Sequence, residues 1–138
     1  MARREADEME RISEQLGDLV GNLWRWNIGG FCPAESWAPP VNVYRFERRL
    51  EVCVELGGID PTTVDVHVEP GRLRVRGNRV VPEPPHRPGE TMRILSMEID
   101  HGPFCCVVPL PPQVDIARVD SNFDNGLLWV HLPLRVQG

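Results

Sequence analysis

From Gly102 to Leu134 the chain alternates apolar and polar positions twice, first through Phe104, Cys106, Val108 and Leu110 and then through Leu128, Val130 and Leu132. A two-residue period puts every second side chain on one face, so each run predicts a strand with one buried face. Between the runs, Asp124-Asn125-Gly126 tolerates positive φ, so the chain is expected to reverse there and start its last strand at Leu127. The same period recurs upstream. Val41 to Phe46 opens it, and Leu50, Val52, Val54 and Leu56 follow, set against Glu51, Cys53 and Glu55. Val64, Val66 and Val68, and then Leu73 and Val75, complete a series of short half-buried antiparallel strands. Gly57-Gly58 and Pro70-Gly71 punctuate the series, and Asp60-Pro61-Thr62-Thr63 predicts a single turn capped by the Asp60 carboxylate.

Two stretches break this rhythm. Over residues 5 to 23, Met9, Ile12, Leu16, Leu19, Val20 and Leu23 recur at spacings of three and four, which predicts an amphipathic helix weakened by Gly17 and Gly21. Trp24, Trp26, Phe31 and Trp37 follow among Asn27, Gly29, Gly30 and Pro33, residues that break regular structure. Such a segment cannot form its own core, so its aromatics must cover the domain's core as a strap or meet another protein. The second break, Val80 to Met92, is a loop rich in proline that is longer than most connections in a compact domain. Beyond it Leu95, Met97 and Ile99 alternate, predicting a strand over Arg93 to Ile99. No hairpin partner lies beside it in the chain, as expected of a strand exchanged with a second copy.

At 138 residues the chain suits one domain plus extensions, and its 14 prolines and 12 glycines suit many turns and strands. Fifteen arginines against 20 acidic residues give a net charge of −5, which argues against nucleic acid as the main partner. Arg72, Arg74 and Arg76 alternate with Leu73 and Val75 and read as the solvated face of a strand. The N-terminus lacks the apolar stretch of a secretory signal and no apolar run could span a bilayer, so the expectation is a cytoplasmic protein with no membrane partner. Its four cysteines are then expected to be reduced.

Candidate chemistry changes the picture little. His101, Cys105 and Cys106 lie closest together among metal-binding residue types, but neighbours on a strand point to opposite faces and no C-x-x-C spacing exists, so no metal or cofactor is expected. The alternation that buries Cys106 should expose Cys105 as an outward thiol. Trp129 should share a face with Leu127 and His131, opposite Leu128 and Val130, and serve packing. Phosphate-loop, nucleophile-elbow and paired-histidine motifs are missing, so an enzyme is not expected.

The order of motifs resembles the small heat-shock protein family, whose shared module is the α-crystallin domain, from Trp37 to Leu134. PPVNVYRFERRLEVCVEL resembles its opening pair of strands, and GGIDPTTVDVHVEPGRLRVRGNR resembles its turn, strands and R-G-x-R close. GPFCCVVPLP resembles its G-x-F strand ending in L-P. VDSNFDNGLLWVHLPL is similar to its A-x-x-x-N-G-V-L signature, with Asn125, Gly126 and Leu128 in place.

The resemblance implies an all-β fold, an antiparallel immunoglobulin-like β-sandwich over 37–134 between an N-terminal arm (1–36) and a short tail (135–138). It implies an ATP-independent holdase that binds unfolding client proteins and forms homo-oligomers built from dimers. A co-chaperone docking one specific partner and a structural scaffold subunit are the rival readings. The client and self-association role would fall to Leu16, Leu19, Leu23, Trp24, Trp26 and Phe31. Strand exchange would pair Leu95, Met97 and Ile99 with Val41, Val43, Tyr44 and Phe46 of a second copy. A groove between Val64, Val66 and Val68 on one side and Val119, Ser121 and Phe123 on the other would take a partner's I-x-I tail. Several positions depart from the family pattern. Ser121 stands where alanine is frequent, and Cys106 where many members place an arginine that helps to fix the dimer. Pro109 implies an edge or a bulge. The only I-x-I-like triplet is Leu134-Arg135-Val136, which has little tether to reach a neighbour.

Overall fold

The computed structural model describes residues 32–135. The predicted helix of residues 5 to 23, the aromatics Trp24, Trp26 and Phe31, and Val136 of the tail triplet lie outside them. In chain order the described strands are β1 (Val41–Arg45), β2 (Arg49–Glu55), β3 (Asp65–Glu69), β4 (Arg72–Arg79), β5 (Gly102–Pro109), β6 (Asp120–Asp124) and β7 (Leu127–Pro133). They form two antiparallel sheets, one of order β1-β2-β7-β6 and one of order β3-β4-β5. The all-β sandwich expected from the two-residue periods is the fold observed.

Alternation builds the core. Val52, Val54, Val130 and Leu132 from the larger sheet meet Leu73, Val75, Phe104 and Val108 from the smaller, all buried. Each contributes about 1.5–3 kcal/mol by leaving water. Register is fixed by the same pattern: Val52 pairs with Val130 and Cys53 with Trp129, and a slip of one residue would turn every buried side chain outward.

The turn between β6 and β7 has Asn125 at φ 49° and Gly126 at φ 79°, the left-handed pair that a two-residue hairpin requires. Gly126 is constrained twice, since a Cβ there would also stand 3.1 Å from the Gly57 Cα. Asp60 caps the one-turn 3₁₀ helix Pro61–Thr63, accepting from the Thr62 amide at 3.0 Å and its hydroxyl at 2.8 Å. Pro109 ends β5, an edge strand, as its missing donor requires.

Three sequence expectations need correction. Residues 93–99 form no strand; Leu95, Ile99 and Met97 are 93%, 60% and 50% exposed. The alternation makes an amphipathic ribbon, but a strand also needs a ladder partner, and the single chain supplies none. Cys105 is not outward but fully buried, and it is disulfide-bonded to Cys32. The period gave its face correctly, but the chain preceding β1 lies over that position. The disulfide also corrects the expectation of four reduced cysteines. Leu134, the first residue of the I-x-I-like triplet, is buried, bridges to Val114, and donates its amide to the Arg48 carbonyl at 2.9 Å.

Candidate functional site

The surfaces that could engage other chains lie at the sheet edges. β1 pairs with β2 alone among the described strands, so its other edge is unpaired. Its Val41 and Val43 are half-buried against the core, and Tyr44 turns to the opposite face, where it stacks on Trp129 with centroids 6.3 Å apart. Phe46, just beyond the strand, is half-exposed beneath the Arg49 guanidinium at 3.8 Å. The other exposed apolar group, Met92, Ile94, Leu95, Met97 and Ile99, belongs to the excursion between β4 and β5. Within one chain, β1 and this excursion do not pair.

β3 and β6 are edge strands of opposite sheets. Val64, Val66 and Val68 at the first, and Val119 and Phe123 at the second, are half-buried against the core, whereas Ser121 is exposed. Apolar side chains therefore stand at both margins, only partly covered by their own domain.

A strap guards the edge of β5. Trp37 pairs in parallel with Phe104, its amide donating to the Pro103 carbonyl at 3.1 Å and its carbonyl accepting from the Cys105 amide at 3.0 Å. The indole N–H donates to the Gly102 carbonyl at 3.1 Å, and the Arg79 guanidinium covers the ring at 4.5 Å. Arg79 is buried, donates through Nη1 to the Asp100 carbonyl, and stands 3.7 Å from Glu55. Gly77, two residues earlier on the inward face of β4, leaves room for the Phe104 ring, whose Cζ would lie 2.7 Å from an added Cβ. The R-G-x-R close thus serves packing: glycine admits Phe104, and the last arginine covers Trp37.

Sequence reasoning missed the arrangement on the outer face of the larger sheet. There His131 of β7 joins Glu51 of β2 through Nδ1 at 2.5 Å and Asn122 of β6 through Nε2 at 2.5 Å. Glu51 and His131 are direct cross-strand partners, so pairing β2 with β7 in register would have found the contact. Of the two free thiols, burial pushes Cys106 up to about 12, partly offset by a hydrogen bond with the Val75 backbone, and burial also raises Cys53. Among the described residues no three metal-ligating side chains converge, and no helix is long and apolar enough to cross a membrane.

Against known proteins, residues 43–138 match the model of the Hsp20/alpha crystallin family. The chain belongs to that family, the small heat-shock proteins. It is 34% identical over 122 residues to Heat shock protein 16 of Schizosaccharomyces pombe, covering 88% of this chain and 82% of that protein. It is 28% identical to 18 kDa antigen 1 of Mycobacterium avium, covering 74% of this chain and 65% of the antigen. Among solved structures, Heat shock protein 16.0 from Schizosaccharomyces pombe superposes with a TM-score of 0.65 at 31% identity, over 80% of this chain and 83% of that one. The hspA of Xanthomonas axonopodis gives 0.62 at 28% identity, over 72% and 96%. The α-crystallin sandwich and a chaperone role in the general sense follow from this membership.

Proposed function

We propose that this protein is an ATP-independent holdase that captures unfolding proteins before they aggregate. The observation that carries the reading is the exposure of the apolar excursion from Met92 to Ile99 in a chain whose β1 edge is also unpaired. Both features are liabilities in a monomer and both are resolved if two copies exchange. Leu95, Met97 and Ile99 then add a strand to β1 of the partner copy beside Val41 and Val43. The division into an arm at 1–36, a sandwich at 37–134 and a tail at 135–138 accompanies this reading. The half-buried margins at Val64, Val66 and Val68 and at Val119 and Phe123 suit an apolar tail from another subunit, and Leu134, committed to its own core, is not the residue offered.

Clients are unfolding chains, which present apolar segments and unpaired edges; a holdase needs adaptable apolar surface and no bond-making chemistry. Leu16, Leu19, Leu23, Trp24, Trp26 and Phe31 supply that surface in the arm. The proposed compartment is the cytoplasm, with neither nucleic acid nor membrane as partner. The test is a full-length variant carrying Trp24→Ser, Trp26→Ser and Phe31→Ser, assayed without nucleotide against a heat-aggregating client. Suppression should fall at least about fivefold per subunit while the far-UV spectrum is unchanged. A variant as effective as the parent would remove the arm from the account.

A further inference from the structure

Among the described strands, β1 and β6 stand at the edges of the larger sheet and β3 and β5 at those of the smaller. An edge strand turns alternate N–H and C=O groups outward, where a further strand can pair with them. On β5 the contacts of Trp37 fix which residues these are. The Pro103 carbonyl and the Cys105 amide both bond to Trp37, so the alternate residues Pro103, Cys105, Val107 and Pro109 face the edge, and those between them bond to β4. Pro103 and Pro109 have no N–H to offer. The Cys105 N–H is taken by the Trp37 carbonyl at 3.0 Å. Among the described residues, Val107 alone of the four keeps an amide that no bond across this edge engages. Neither proline weakens the sheet, because an N–H at its position would point away from β4. The other edge strands, Val41–Arg45, Asp65–Glu69 and Asp120–Asp124, contain no proline.

The position of this edge in the chain gives the arrangement a consequence. The alternating run Leu95, Met97 and Ile99 passes through Asp100 and His101 directly into β5. The free edge of β5 is therefore the ladder nearest to the run, and a simple hairpin would reach it. The run nevertheless lies exposed and makes no strand. We propose that Pro103, Pro109 and Trp37 seal the edge of β5 against strand addition, so that the run of residues 93–99 cannot fold back on its own chain and stays available to the proline-free edge of β1 in a second copy. A strand laid on β5 would bring a row of carbonyls to an edge with almost no donors, and it would first have to displace Trp37. That residue is held besides by its indole N–H on the Gly102 carbonyl at 3.1 Å and by the Arg79 guanidinium over its ring. Arg79 also holds the Asp100 carbonyl at 3.0 Å, which fixes the chain where the run ends and β5 begins. Trp37, Pro103 and Pro109 are thus specificity determinants of pairing, although none of them touches the partner copy in this account.

The seal rests on the exchange reading only for the destination of the run; its test concerns the monomer, so the two can fail separately. Amide hydrogen exchange is followed residue by residue by NMR on the full-length chain, at a dilution where light scattering gives the monomer mass. In the parent, the amides of Leu95, Met97 and Ile99 should exchange at close to the unprotected rate. Protection of these amides in the monomer would overturn the proposal without any variant. Trp37→Ala combined with Pro103→Val and Pro109→Val opens the edge, with both added N–H groups pointing away from β4. At the same dilution this variant should slow exchange at the three amides at least about tenfold, as the run pairs with β5. Unchanged rates in a variant that keeps the parental far-UV spectrum would contradict the seal. So would slowing that appears only as the mass rises, because the opened edge would then have taken a second copy and not the chain's own run. Failure of strand exchange shows elsewhere, in a parent dimer whose run stays unprotected.

Discussion

At the scale of single residues, the positions most sensitive to change are those where backbone and packing constrain together. Gly77 needs no unusual φ, yet a methyl group there would drive into Phe104, which is 1% exposed and cannot swing aside. Gly77→Ala should therefore cost about 1–3 kcal/mol, read as a lower urea midpoint with an unchanged slope; an unmoved midpoint would show that the ring relaxes. Asp60 carries a pH dependence. Hydrogen bonds from the Thr62 amide, and then its hydroxyl, hold the Asp60 carboxyl below its ordinary value of 3.8. A group depressed on folding adds stability above the unfolded value and loses it as pH falls through the folded one. Asp60→Ala should thus melt below the parent at pH 7 and converge with it in strong acid; a constant gap in melting temperature down to pH 2 would contradict the capping account. Asn125 and Gly126 were legible from the sequence because a tight reversal between two alternating runs leaves few residue types able to adopt positive φ. His131 was not, because its contacts depend on which strands pair, and periodicity alone does not say.

The elements divide in the same way. Strands were readable because one-sided burial imposes a period of two on the sequence, and Pro109 marked an edge because proline has no donor. What lies over a face leaves no such trace. Cys105 was assigned to the correct face, yet its cover and its sulfur partner come from a position 73 residues earlier. The excursion between β4 and β5 shows the complementary case, since a sequence can carry a strand's alternation while the structure of one chain has no place for the strand. Its apolar side chains are exposed, so charging them should leave the monomer fold alone. Leu95→Asp together with Met97→Asp should weaken dimerisation by about two to four decades, measured as mass against concentration by light scattering. A dimer of parental affinity would exclude exchange of this segment.

For the whole molecule, the disulfide closes a loop spanning β1 to β4, and in the chain-entropy picture a crosslink of that length contributes about 4 kcal/mol against unfolding. The oxidised protein should accordingly melt several degrees above the reduced one while both keep the same spectrum. The sandwich has a paired and filled interior, and among the described residues exposed or partly covered apolar side chains stand at its margins and in the excursion. That distribution underlies the holdase reading, in which binding exploits surface the fold leaves uncovered and no step requires nucleotide. The most direct measurement follows the light scattering of a heat-unfolding client mixed with the full-length protein and no ATP. The account predicts that scattering falls progressively and is largely abolished near equal subunit and client concentrations; a scattering trace indistinguishable from the client alone would contradict it.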